Sequence, residues 1–287
     1  MDEVIAITKA RGFLKDLGID RYPIDVNAIA GELGFEIKSS NQLDPNEAGH
    51  VVKLPGRQII VVNSNDLPYR QRFTIMHEVA HEALQLPSNH GNNISSSQLE
   101  SYTSRPREEI LCDVFAAECL VPWHLISPLT EELPFEISTI RKLSDDFQAS
   151  RTCIASRFAQ ASSDLNIFVL AENGVIRNVV PSRAVKELRF WINIGIKLPT
   201  GSAAESALKT GKSEATVDSD GTLWSTSDSA SRFTCYEESI VLEKWSQTLS
   251  MLTLEIIGDT GHKPYREYLD EDELLPELTG ELPWPKR

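Results

Sequence analysis

The chain has 287 residues, a length that suits about two domains. Its 41% hydrophobic and 24% charged residues supply apolar material for a packed core, which excludes wholesale disorder. The formal net charge is −14 and acid outnumbers base in both halves, which disfavours tight general binding to nucleic acid or to an anionic membrane.

No apolar run approaches the roughly eighteen residues of a membrane span, so no membrane partner is expected. The opening Met1-Asp2-Glu3 has neither the basic nor the apolar region of a secretion signal. Cys112, Cys119, Cys153 and Cys235 show no CxxC spacing, and together these features predict a reducing, cytoplasmic location.

In chain order, Asp2 caps a predicted helix to Leu17, ended by Gly18, and Asp25 caps a second from Val26 to Leu33, ended by Gly34. Phe35 to Lys38 reads as extended. Residues 48–54 and 57–64 flank Pro55-Gly56, a hairpin signal. Pro68 marks the first turn of a helix running to about Leu86, in which Phe73, Met76, Ala80 and Leu84 recur at helical spacing. A long Ser- and Asn-rich connection, residues 88–106, precedes another helix from Pro106 or Arg107 to Leu120.

Residues 137–147 and 151–161 give two short helical patterns around Gln148-Ala149-Ser150, with the look of a helix-turn-helix. Beyond Leu165 the period shifts toward strands: Asn166–Ala171, Val175–Val180 and Met251–Ile257, with a helix predicted over Ala184–Trp191. Residues 200–230 read as Ser/Thr/Gly-rich loops, and Glu267 to Glu281 holds seven acids and no base, a composition that frays. The expected division is 1–135, 136–164 as a helix-turn-helix-like linker, and 165–287 as a regulatory or sensor domain with an acidic tail.

The chemistry concentrates in His77-Glu78-Val79-Ala80-His81, an HExxH motif inside a predicted helix. Four residues apart, the two imidazoles lie one turn apart on one face and can converge on a single cation. Glu78 points about 100° around the helix, toward a water rather than the cation. A hydrolytic zinc site takes three protein ligands and keeps one position open.

The next helix supplies Glu109 and, four residues on, Asp113, which resembles the Glu-x-x-x-Asp arrangement of gluzincins. There the Glu binds metal and the Asp orients a ligand His. Asp113 is then set to hold His77 or His81 through its free ring nitrogen, or it is a solvated helix residue. Glu108 competes with Glu109, which is preferred because only Glu109 has an acidic partner at i+4. Cys112 is able to bind zinc, though packing is the commoner use of a small buried residue. His50, His90, His124 and His262 lack partners at ligand spacing.

The stretch from Arg70 to His81, the preceding Ile60-Val61-Val62-Asn63, the run Glu109 to Ala117 with Leu120-Val121-Pro122, and Pro23-Ile24-Asp25-Val26 to Leu33-Gly34 together resemble the ImmA/IrrE family of metallo-endopeptidases over about residues 5–160. The resemblance implies His77, His81 and Glu109 as metal ligands and Glu78 as catalytic base. Cys112 stands where Ala is frequent and Asp113 where Asn is frequent. The implied fold is α+β: a mostly helical gluzincin-like domain with a small antiparallel sheet, the linker, and a C-terminal α+β domain similar to GAF sensors.

The expected activity is hydrolysis of a peptide bond by a zinc-dependent regulatory endopeptidase, with manganese also suited to two His and a carboxylate. The resemblance implies an Xre-type helix-turn-helix repressor as substrate. Tyr69, Arg72, His90 and Tyr102 are candidates for oxyanion stabilisation. Residues 57–64 or their hairpin partner are candidates for pairing with an extended substrate. Arg141, Lys142, Arg151 and Arg157 are the phosphate contacts available if the 136–164 segment touches DNA. Trp191, Trp224, Phe233 and Trp245 either line a pocket or pack a core. The alternative reading is a non-enzymatic, metal-stabilised scaffold that binds a protein partner or DNA; Glu78 discriminates, since a structural site has no need of a base beside its ligands.

Overall fold

The computed structural model describes residues 3–45, 47–87 and 106–257. Helix α1 (Glu3–Asp16) buries Ala6, Ala10 and Leu14, a stripe at i, i+4 and i+8, against helix α4 (Arg107–Leu120). Helix α2 (Val26–Glu32) begins where the Asp25 carboxylate accepts hydrogen bonds from the N–H groups of Asn27 and Ala28, both at 3.0 Å.

Strands β1 (Phe35–Ser40), β2 (Gly49–Leu54) and β3 (Arg57–Asn63) form a sheet in the order β1-β3-β2. The tight turn at Pro55-Gly56 makes β2 and β3 antiparallel, but β1 runs parallel to β3. The expected antiparallel sheet is therefore mixed, because the 41–48 connection carries the chain across so that β2 returns on the far side of β3. Helix α3 (Pro68–Leu84) packs against this sheet and ends at Gln85, which takes the left-handed conformation while the Leu86 N–H caps the His81 carbonyl. Gly49 allows the close approach: a Cβ there would sit 2.5 Å from the Val61 carbonyl and 2.8 Å from Thr74 Cγ2.

After α4, Pro122 opens a helix that the sequence reading missed, α5 (Trp123–Glu132), which tolerates Pro128 in its interior. Helices α6 (Ile137–Phe147) and α7 (Arg151–Ala161) turn at Gln148, and Ser150 caps α7 through the Cys153 N–H. The expected phosphate contacts do not form one basic face. Arg157 is 5% exposed and bound to Glu118, and Arg141 pairs with Glu214, so both are engaged within the fold.

The C-terminal sheet is antiparallel, in the order β5-β4-β8-β7-β6: β4 (Asn166–Glu172), β5 (Val175–Pro181), β6 (Glu214–Asp220), β7 (Phe233–Leu242) and β8 (Gln247–Ile256). Helix α8 (Arg183–Glu187) is shorter than expected, and helix α9 (Ala203–Thr210) and β6 occupy the stretch read as loops. Side chains of β4 alternate between two cores. Phe168 and Leu170 join the helical core, whereas Ile167, Val169 and Ala171 join a second core with Trp224 and Phe233. Trp224 and Phe233 are thus packing residues, while Trp191 is 51% exposed. Among the described residues no single helix is long and apolar enough to cross a membrane.

Candidate metal centre

Helices α3 and α4 pack side by side and face each other with the residues that carry chemistry. On α3, Thr74 to His81 is a continuous buried run that includes both imidazoles and Glu78. On α4, Glu109 is 4% exposed, while Glu108 is only half-buried. A carboxylate that deep needs hydrogen bonds, a positive partner or a cation to compensate its lost hydration.

The donor atoms form a tight triangle. His77 Nε2 lies 3.3 Å from His81 Nε2 and 3.1 Å from Glu109 Oε2, and His81 Nε2 lies 3.7 Å from Glu109 Oε1. Donors about 2.05 Å from a tetrahedral centre stand about 3.35 Å apart, so these separations suit a small divalent cation. Among the described residues this is the group of three metal-capable side chains whose donor atoms lie within 4.8 Å of one another, and all three are buried. Two imidazoles and one carboxylate suit zinc or manganese by chemistry.

Asp113, four residues along α4 from Glu109, reaches His77 rather than His81. The His77 Nδ1–H donates to Asp113 Oδ1 at 2.9 Å, which orients the ring and points Nε2 into the triangle. Burial disfavours the charged form of His77. The hydrogen bonds to Asp113 and Glu109 and the charges of Asp113 and Glu78 outweigh it, and push the pKa up to about 9. The cluster is a strongly negative pocket, the field that a dication would neutralise.

Glu78 follows His77 directly and is 1% exposed, next to the ligand set without sharing its face. Cys112 is buried in the helical core. His50 bonds to Glu47 and His124 to the Ile19 carbonyl, so neither joins the triangle. Arg72 does not serve an oxyanion. Its Nε–H donates to the Gln148 carbonyl at 3.1 Å and an Nη2–H to that of Ile24 at 2.8 Å, tying α3 to the α6–α7 turn. His90, Tyr102, His262 and the acidic tail lie outside the described residues.

One supporting group had no sequence signal. Glu118 is fully buried on the side of α4 opposite Glu109, nine residues on. It accepts from Arg157 Nη2 at 2.6 Å, Arg11 Nε at 3.1 Å and the Trp123 N–H at 3.0 Å, joining α1, α4, α5 and α7. Arg157 Nε–H also donates to the Val121 carbonyl at 3.1 Å. Both arginines lie over the Trp123 ring. This network holds α4, and with it Glu109 and Asp113, from behind.

A helix bearing HExxH, crossed by a second helix that presents a buried Glu, brings together two imidazoles and a carboxylate that could hold one metal ion. Residues 30–159 match the model of the Peptidase_M78 family, described as the IrrE N-terminal-like domain. The radiation response metalloprotease IrrE of Deinococcus deserti (strain DSM 17065 / CIP 109153 / LMG 22923 / VCD115) is 26% identical over 171 residues. The match covers 54% of this chain and 59% of that protein, so the chain spans less than two thirds of the relative's length. A Mycobacterium tuberculosis transcriptional regulator shares the fold with a TM-score of 0.55 at 13% identity, over 86% of this chain and 74% of that one.

Proposed function

We propose that the chain is a zinc-dependent regulatory endopeptidase whose substrate is an Xre-type helix-turn-helix repressor. The observation that carries this reading is the buried His77–His81–Glu109 triangle with Glu78 beside it. A divalent metal held by those three side chains supplies Lewis acidity that brings the pKa of a water toward neutrality. Glu78 takes the proton from the attacking water and returns it to the leaving amine. Asp113 keeps His77 in the ligand tautomer throughout.

An extended substrate segment needs an open strand edge. Strand β3 is flanked on both sides, whereas β2 is paired on one edge only among the described residues. The hairpin partner β2 is therefore the candidate for substrate pairing. We assign the peptidase unit to 1–135 and the linker to 136–164. Residues 165–287 form a GAF-like regulatory unit, a reading supported by the five-stranded antiparallel sheet. The four free cysteines suit work in a reducing cytoplasm.

The test is to incubate zinc-loaded wild type and Glu78→Gln with the helix-turn-helix repressors encoded beside this gene. Scission by the wild type that falls by several orders of magnitude in the variant is expected. Equal scission by both, or scission by neither, rejects the reading and favours a metal-stabilised scaffold.

A further inference from the structure

The far face of the C-terminal sheet carries a cleft of about 390 Å³ whose floor is Ile167, Val179 and Pro181 and whose wall is the 186–194 segment. The wall is firmly built. The Trp191 carbonyl accepts from Ser225 Oγ at 2.6 Å, and the Gly195 and Ile196 main chain exchanges hydrogen bonds with Ile176, both at 2.8 Å. Even so, Trp191, Ile194 and Ile196 stand 51%, 57% and 45% exposed. Lys186 and Arg189 also line the cleft, and among the described residues neither has an ion-pair partner. An apolar cleft with two unpaired cations fits a segment that is both apolar and acidic.

Such a segment exists in this chain, and it starts at the right place. Strand β8 ends where β4 begins and β5 ends: Thr253 pairs with Asn166, and Ile167 with Pro181. The strand leading to Ile257 therefore ends at the end of the sheet that holds the cleft, two strand spacings or about 10 Å from β5. The acidic stretch begins at Glu267, ten residues past Ile257. Ten residues of random coil span about 17 Å, more than the separation to be bridged. Within the stretch, Asp270-Glu271-Asp272-Glu273 is flanked by Tyr268-Leu269 and by Leu274-Leu275.

We infer that residues 268–278 dock in this cleft of their own chain, with the apolar pairs against Ile167, Trp191 and Ile194 and the four acids facing Lys186 and Arg189. Tethering makes the contact intramolecular at an effective concentration of order millimolar, so modest contacts suffice. Seated there, the segment covers the exposed apolar patch and occupies the surface open to any other acidic, apolar peptide. The inference is independent of the metal centre.

The test places a photoreactive p-benzoylphenylalanine at position 194 of the full chain and maps the cross-links by mass spectrometry. Cross-links to residues 264–287 in the monomer band are expected. The double variant Lys186→Glu, Arg189→Glu should reduce them at least tenfold, and replacing all four of Asp270, Glu271, Asp272 and Glu273 with Lys in that background should restore them. Cross-links found only between two copies, directed to other segments, absent, or unchanged by the charge reversal overturn the inference.

Discussion

His77 and Asp113 meet across two helices, the Nδ1–H donating to the carboxylate at 2.9 Å, so that the helix bearing HExxH is locked to the helix bearing Glu109 at the His77 ring. The bond does two things at once: it aims Nε2 at the triangle and raises the basicity of the ring. Asp113→Asn keeps a hydrogen-bond acceptor there but loses the charge. The expected result is a 10- to 100-fold weaker affinity for zinc with an unchanged melting curve, read by competition with a chromophoric chelator.

Glu118 makes a separate, structural prediction. Glu118→Gln leaves the Arg157 guanidinium buried without its counter-charge, which costs about 3–5 kcal/mol of stability. Urea unfolding measures it. Replacing Glu118 and Arg157 together by leucine is expected to cost less than the single change, because no uncompensated charge remains.

Cys235 is one of three cysteines whose thiols burial pushes upward, and it predicts a loss of stability at alkaline pH. Burial, then the charge of Glu237, push its thiol up to about 12, against a smaller opposing hydrogen bond from Ser219. An unfolded thiol ionises near pH 8.5. Between those values the unfolded chain releases a proton that the folded chain keeps, so this contribution is complete below about pH 8.5 and is lost as pH rises. The urea midpoint should be lower at pH 10 than at pH 8, and the fall should be smaller in Cys235→Ala.

The local periodicities were the legible part of this sequence. The stripe Ile137, Ile140, Leu143 and Phe147 and the Ser150 cap define α6 and α7 without any tertiary information. The i, i+4 spacing of His77 and His81 placed both rings on one face. Strand β7 carried no clear signal, because the adjacent acids Glu237 and Glu238 interrupt its apolar pattern. In the fold Glu237 is fully buried and accepts from the Ala203 and Ala204 N–H groups at the start of α9, both at 2.9 Å, and from Trp224 Nε1 at 3.2 Å. Helix α5 was hidden by Pro128 and the parallel placement of β1 by a non-local pairing. The choice of His77 over His81 by Asp113 depends on how α3 and α4 cross, which spacing alone does not carry.

The central claim is that His77, His81 and Glu109 hold one metal ion while Glu78 stays off it. Calorimetric titration of zinc into the full chain tests this without any substrate. One ion per chain is predicted for the wild type and for Glu78→Gln, with affinities within a few-fold, and a loss of orders of magnitude in His77→Ala, His81→Ala and Glu109→Gln. Undiminished binding by Glu109→Gln, or loss of binding in Glu78→Gln, would contradict it.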